Sequence, residues 1–227
     1  MPTGANNLFF SMQCIDGCVF PFPVGSFSVN RAINELKNLG YTGLVACGLE
    51  KEIVPEQSGF SIFKGRYIRL PGIREIQKEI QIASREGSLC IVRAGEGGVN
   101  RSILTSSGVH VLSDLHNAPK NAFDRVCAQY AADHGVAIDI RITPLRELRG
   151  TPRERVIREY EEILLLQNRY EFPLIISSGA MSPFDLRSPR AIEALLIGIG
   201  MEKDLIQDSF TTIPRLLEGN KPVQRIN

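Results

Sequence analysis

Short apolar runs alternate with stretches of helical periodicity along this chain. Gln13–Phe20 reads as a strand. Ser28 then stands as an N-cap before Val29, Ala32, Ile33 and Leu36, which share one helical face, and Gly40 sits where a left-handed C-terminal cap belongs. Gly43–Cys47 is the next strand, and Glu50–Ser61 is polar and irregular, which predicts an exposed loop. Arg66–Leu70 returns to strand. Ile73–Arg85 places Ile73, Ile76, Ile80 and Ala83 on one helical face. Leu89–Val92 is a strand followed by a glycine-rich turn, Gly95–Gly98, and Val109–Leu112 is a further strand. Ala122–His134 predicts a helix with Phe123, Val126, Cys127, Tyr130 and Ala131 facing in and Gly135 closing it. Val136–Ile142 is a strand. Thr151-Pro152-Arg153-Glu154 has the residues of a capping box, ahead of a stripe of Val156, Ile157, Tyr160, Ile163 and Leu164. Pro173–Ile176 is the last strand, Ser188-Pro189 opens a helix through Ile199, and Phe210–Leu217 suggests another.

Strand and helix thus alternate about seven times. The strands are continuous apolar runs, as parallel strands covered by helices on the outside should be. Units of about 30 residues repeated this often favour an α/β fold of the single TIM-like (β/α) barrel type. An open doubly wound sheet has the same periodicity and stays an alternative. With 227 residues and no Pro/Ser linker, the expectation is one barrel domain over 1–227 with an exposed loop around 50–61.

Composition narrows the function. A formal charge of +1, from 26 basic and 25 acidic side chains, excludes a strongly basic RNA-coating protein. Any nucleic-acid contact must come from a local patch. No run approaches the roughly 20 apolar residues of a membrane helix, and Met1–Phe10 lacks the features of a signal peptide. Five cysteines, Cys14, Cys18, Cys47, Cys90 and Cys127, lie mostly in apolar runs and read as reduced thiols of a cytoplasmic protein. Cys14 and Cys18 have no second pair or nearby histidine to complete a zinc site.

In parallel α/β folds, chemistry is carried where strands end and loops begin. The polar residues there are Arg93, Asn100 and Arg101, then Ser113, Asp114 and His116, then Arg141 and Thr143, then Ser177, Ser178 and Gly179, with Arg187 and Arg190 beyond. This rim is rich in arginine and poor in paired carboxylates. His134 falls at a helix C-terminus and suits the dipole there. His110 lies in a strand, and His116 alone is placed for chemistry. Gly95-Glu96-Gly97-Gly98 matches no phosphate-loop fingerprint. Ser188-Pro189, flanked by Arg187 and Arg190, reads either as an anion-binding helix start or as a capped helix with solvated arginines. Six arginines against two glutamates between Arg141 and Arg158 form a local basic stretch, either phosphate-facing or simply solvated.

Ser177-Ser178-Gly179-Ala180, Leu186-Arg187-Ser188-Pro189-Arg190 and Gly200-Met201 resemble the C-terminal signature of archaeal ribonuclease P protein component 3. That family is the counterpart of the 30-kDa subunit of the eukaryotic nuclear enzyme. Val99-Asn100-Arg101 is similar to the family's Asn-Arg motif, Gly135–Ile140 to its central block, and Asp16 to an aspartate early in its first strand. The resemblance runs from about Cys14 to Leu217. It implies a barrel similar to the metal-dependent polymerase-and-histidinol-phosphatase barrels, here without the H-x-H that would follow Asp16. It further implies a noncatalytic subunit of a ribonucleoprotein whose RNA removes the 5′ leader from precursor tRNA. Implied partners are the ribonuclease P RNA, component 2 and other protein subunits, with no cofactor, metal or catalytic residue of its own. Asn100, Arg101, Ser177, Ser178, Arg187 and Arg190 would form a polar rim or contact RNA. Two other readings stay open: a stand-alone metal-dependent phosphoesterase using Asp16, Asp114, His116 and Asp139, and a barrel binding a phosphorylated metabolite at Ser188 and Gly179.

Overall fold

Among the described residues every strand joins a single sheet. The computed structural model describes residues 13–49, 56–57 and 59–219. In chain order the elements are β1 (Ile15–Val19), α1 (Val29–Leu39), β2 (Gly43–Cys47), β3 (Glu56–Gln57), β4 (Phe60–Ile68), α2 (Ile73–Arg85), β5 (Leu89–Arg93) and α3 (Gly97–Leu104). They continue with β6 (Val111–Ser113), α4 (Arg125–His134), β7 (Ala137–Arg141), α5 (Thr143–Glu147), α6 (Gly150–Tyr170), β8 (Leu174–Ser177), α7 (Pro189–Ile197) and α8 (Lys203–Gly219). The sheet order is β1-β2-β4-β5-β6-β7-β8, each neighbouring pair parallel, with β3 antiparallel on β4.

The sheet nearly closes on itself. At the seam between β8 and β1, Gly179 N donates to Cys18 O at 2.9 Å and Phe20 N donates to Ala180 O at 2.8 Å, giving one parallel bridge between Val19 and Ala180. Below this bridge α8 packs on both β1 and β8, and its Ile213 joins the barrel interior. This is a single TIM-like barrel of seven parallel strands.

The uniform apolar character of the strands has two causes. Their outward residues, such as Leu44, Val92, Leu112 and Ile138, pack under the helices with Leu36, Ile80 and Tyr160. Their inward residues, such as Val45, Ile91, Val111 and Ile175, fill the barrel. Local signals agree with the elements. Ser28 accepts from Arg31 N, and Gly40 closes α1 at φ 96°. Asp124 caps α4, Gly135 closes it, and Ser188 caps α7 with Pro189 behind it.

Four details depart from the sequence reading. Phe60 and Ser61, expected in the exposed loop, belong to β4: Phe60 is buried and Ser61 pairs with Gly43. The strand was obscured by Lys64 and Arg66, whose charges are met on the outside of the barrel by Glu86 at 2.9 Å and Glu79 at 2.6 Å. Residues 50–55 and 58 of that expected loop lie outside the described residues. The glycine-rich turn runs into α3, which starts at Gly97. Thr151 is not a cap: α6 starts at Gly150, whose backbone is left-handed (φ 56°), and Arg149 stands at the cap position with no side-chain cap hydrogen bond. His110 sits just ahead of β6, where its Nδ1 accepts from Cys90 N at 2.9 Å.

Candidate functional site

The inward alternation that fills the barrel with apolar groups changes character at the C-terminal ends of the strands. There the inward positions are Tyr67 on β4, Arg93 on β5, Ser113 on β6, Asp139 and Arg141 on β7, and Ser177 on β8. Asp16 on β1 and Asp114, just after β6, complete the ring. Asp114 holds a left-handed backbone (φ 61°) that turns its carboxylate back over the mouth.

Arg141 is the centre of this ring. Its guanidinium lies 2.7 Å from Asp114 Oδ1 and 3.3 Å from Asp139 Oδ2, and it donates to Ser113 Oγ at 3.0 Å. Ser113 Oγ in turn donates to Asp139 at 2.5 Å, and Tyr67 OH donates to Asp114. The guanidinium also stands 5.7 Å from the centre of the Phe20 ring and 5.4 Å from that of Tyr67, both within cation–π range. Tyr160 OH fixes the strand beneath it by donating to Arg141 O at 2.8 Å. The side chains of Arg141 and Asp139 are 9% and 0% exposed, so this is a buried ion cluster held by several hydrogen bonds.

Electrostatics follow from burial. Burial pushes Asp139 above the usual carboxylate range, opposed first by Arg141. Asp16, completely enclosed, is pushed up to about 6 by burial, although its Oδ1 accepts from Ser178 N at 2.9 Å and Cys18 N at 3.2 Å. His116 is pushed down to about 4 by burial and is neutral at physiological pH, with its Nδ1 unpartnered. His110 is lowered to about 4 for the same reason.

The four residues read as possible metal ligands, Asp16, Asp114, His116 and Asp139, do come to the same end of the barrel. They do not fit a metal. Asp114 and Asp139 both face the Arg141 guanidinium, Arg93 stands 4.0 Å from Asp114 as well, and no group of three or more ligand side chains among the described residues is arranged to hold an ion. Sequence reading placed Arg141 at the rim and in the basic stretch 141–158 but missed this pairing. A partial signal was available: Asp139 and Arg141 are two apart on one strand, so their side chains share a face.

The expected rim residues fall in three places. Ser177 and Ser178 lie at the mouth, both buried; Ser178 Oγ accepts from Ala180 N at 3.1 Å. Asn100 and Arg101 lie on α3. Asn100 is fully buried: it accepts from Gly95 N at 2.8 Å and donates to Gly95 O and Ala122 O, stapling two loops. Arg101 is at the surface, paired with Asp124. Arg187 and Arg190 flank the start of α7. Arg187 donates to Phe184 O and Leu186 O, and its own carbonyl accepts from Tyr41 OH at 3.1 Å. The basic stretch is largely engaged. Arg141 is buried, Arg146 pairs with Asp185 at 2.7 Å, Arg153 donates to Leu145 O, and Arg158 lies beside Glu154. Above the ring opens a cavity of about 490 Å³.

The protein-family model described as RNase P subunit p30 matches residues 14–221. Ribonuclease P protein component 3 of Methanosarcina barkeri is 31% identical over 214 residues, 91% of this chain and 90% of that protein. The M. mazei protein of the same name is 29% identical with the same coverage. A chain in the cryo-EM structure of archaeal ribonuclease P with mature tRNA superposes with a TM-score of 0.77 at 20% identity, over 94% of both chains, a likeness of fold.

Proposed function

Because the chain belongs to the RNase P subunit p30 family, we propose that it is a noncatalytic protein subunit of a ribonuclease P ribonucleoprotein, supporting RNA-catalysed removal of the 5′ leader from precursor tRNA. The complex is the endoribonuclease; this chain is part of its protein scaffold. The observation that carries the reading is the mouth of the barrel. Where a hydrolase of this architecture would set a nucleophile, a base or a metal, the carboxylates are tied to Arg141 and Ser113, and the nearby histidine is neutral and half-buried. A stand-alone metal-dependent phosphoesterase is disfavoured by the same cluster.

In this reading the chain acts as one barrel domain in the cytoplasm. Its partners are the ribonuclease P RNA, component 2 and other protein subunits, with precursor tRNA as the substrate of the whole. Among the described residues no helix is long and apolar enough to cross a membrane. Of the six expected rim residues, Arg101, Arg187 and Arg190 are exposed; Arg101 pairs with Asp124, and Arg187 and Arg190, together at the start of α7, are the two proposed to contact RNA phosphates. Asn100, Ser177 and Ser178 serve internal order.

The test is assembly. Native mass spectrometry of the chain mixed with ribonuclease P RNA and component 2 should give a complex containing all three. Replacing Arg187 and Arg190 together by alanine should flatten the salt dependence of RNA affinity. An unchanged salt slope refutes the phosphate contact, and absence of the chain from any RNA-containing complex refutes the subunit reading.

A further inference from the structure

The cavity at the barrel mouth is lined by groups that the ion cluster does not satisfy. Arg141 Nε and His116 Nδ1 are buried, lack hydrogen-bond partners and belong to residues that line it. Gly179 keeps the space beside Arg141 open: a Cβ there would stand 3.2 Å from Nε and 2.9 Å from Cδ. Phe20 and Tyr67 supply aromatic surface in the wall, and Val24 and Met181 form lips that are 47% and 50% exposed. The volume, about 490 Å³, falls within the range of small-molecule sites.

The charge of the wall selects the ligand. Arg69 and Arg141 are balanced there by Asp114 and Glu147, and Arg141 is already matched by Asp114 and Asp139. A small free anion would gain little from such a floor. A flat, neutral, polar-edged ring gains a donor, a ring nitrogen and apolar walls. Among the described residues of the wall, Arg69 is the cation that stands exposed at the rim, where a phosphate attached to that ring would lie.

We propose that the barrel mouth is a binding pocket for an unpaired nucleotide, with the base inside against Arg141, His116 and the apolar lips and its phosphate outside at Arg69. With the chain read as a ribonuclease P subunit, the source is an extruded base of an RNA strand. A free nucleotide shares the chemistry, and the experiment separates the two.

The full chain with ¹³C-methyl-labelled methionine reports the pocket directly, since Met181 forms its lip while Met201 is buried beside α8. Uridine and adenosine 5′-monophosphates and a single-stranded RNA trinucleotide are titrated against ribose 5-phosphate and inorganic phosphate. The base-containing probes should shift the Met181 methyl saturably and leave Met201 still; the two base-free probes should not. Val24→Trp, a change at a half-exposed lip, should abolish the shift without lowering the melting temperature. His116→Ala should weaken binding several-fold. Equal shifts from ribose 5-phosphate, a Val24→Trp protein that still responds, or no Met181 shift with any base overturn the pocket. A monophosphate that binds while the trinucleotide is excluded overturns the RNA source. A chain that supports precursor-tRNA cleavage but shows no Met181 shift refutes this pocket alone. A shift without any support of cleavage refutes the subunit reading alone.

Discussion

Replacing Arg141 by methionine tests the buried cluster where it is most exacting. Methionine keeps the length and apolar stem of arginine but removes the charge that Asp114 and Asp139 face at 2.7 and 3.3 Å, and the donor to Ser113. Removing one partner of a buried ion cluster costs about 3–5 kcal/mol, since the remaining charge has neither water nor counter-ion. For a domain of this length that corresponds to roughly 6–20 °C in melting temperature. The pH dependence identifies the cause. Burial already raises Asp139, and without Arg141 its enclosed carboxyl takes up a proton in the folded state further above its unfolded value. Folding then binds a proton, and stability declines as pH rises through the folded pKa. The deficit against the parent, followed by circular dichroism, should be smaller at pH 5 than at pH 7. Adding Asp114→Asn and Asp139→Asn to Arg141→Met should recover most of the loss, because neutral amides need no counter-ion. A variant within about 1 kcal/mol of the parent at pH 7, or a deficit that grows toward pH 5, refutes the reasoning.

Asp16 is ionised at neutral pH against a folded value of about 6 and an unfolded value near 3.9. Its folded value is the higher, so it lowers stability by about 3 kcal/mol as pH rises from about 4 through about 6. Asp16→Asn keeps an acceptor for the Ser178 and Cys18 amides and should flatten that decline in urea titrations between pH 4 and 7. Asn100→Ala removes three hydrogen bonds and leaves Gly95 N without its acceptor, so it should cost about 2–4 kcal/mol in chemical unfolding. Asp124→Ala should cost about 1 kcal/mol through loss of the α4 cap, whereas Arg101→Ala, at the surface end of the same pair, should leave the melting temperature nearly unchanged. Cys18 and Cys47 lie 3.4 Å apart as free thiols within the barrel, and burial raises Cys18 well above its ordinary value. Both should resist alkylation in the native state and react on unfolding, which mass spectrometry can count.

The fold was legible because buried parallel strands are apolar on both faces and helix ends carry local signals. Gly43–Cys47 and Ile73–Arg85 were delimited as the structure has them, and Ser28, Gly40, Gly135 and Ser188 cap as their types require. β4 was cut short because Lys64 and Arg66 dilute its pattern, and their partners on α2 and at its end are not visible from within the strand. α3 was missed because three glycines in four residues at its start outweigh its weak periodicity. The polar residues of the barrel mouth were legible in part, and their wiring was not: of the six expected rim residues only Ser177 and Ser178 lie there. Residue type and strand ends brought Ser113, Asp114, His116, Arg141, Ser177 and Ser178 to this end of the barrel, and the family resemblance added Asp16. That Arg141 also meets Asp114 and Ser113 depends on how strands are staggered around a closed sheet, which no one strand records. Tyr67 and Phe20 escaped notice because an aromatic at a strand end looks like core until a guanidinium is found over it.

The central claim is that this barrel serves an RNA enzyme without performing hydrolysis itself. Cleavage of a precursor tRNA by ribonuclease P RNA plus component 2, at limiting magnesium and with or without this chain, tests it most directly. The account predicts a higher rate of 5′-leader removal when the chain is added and no cleavage by the chain alone. An unchanged rate, or hydrolysis by the purified chain without RNA, would contradict it.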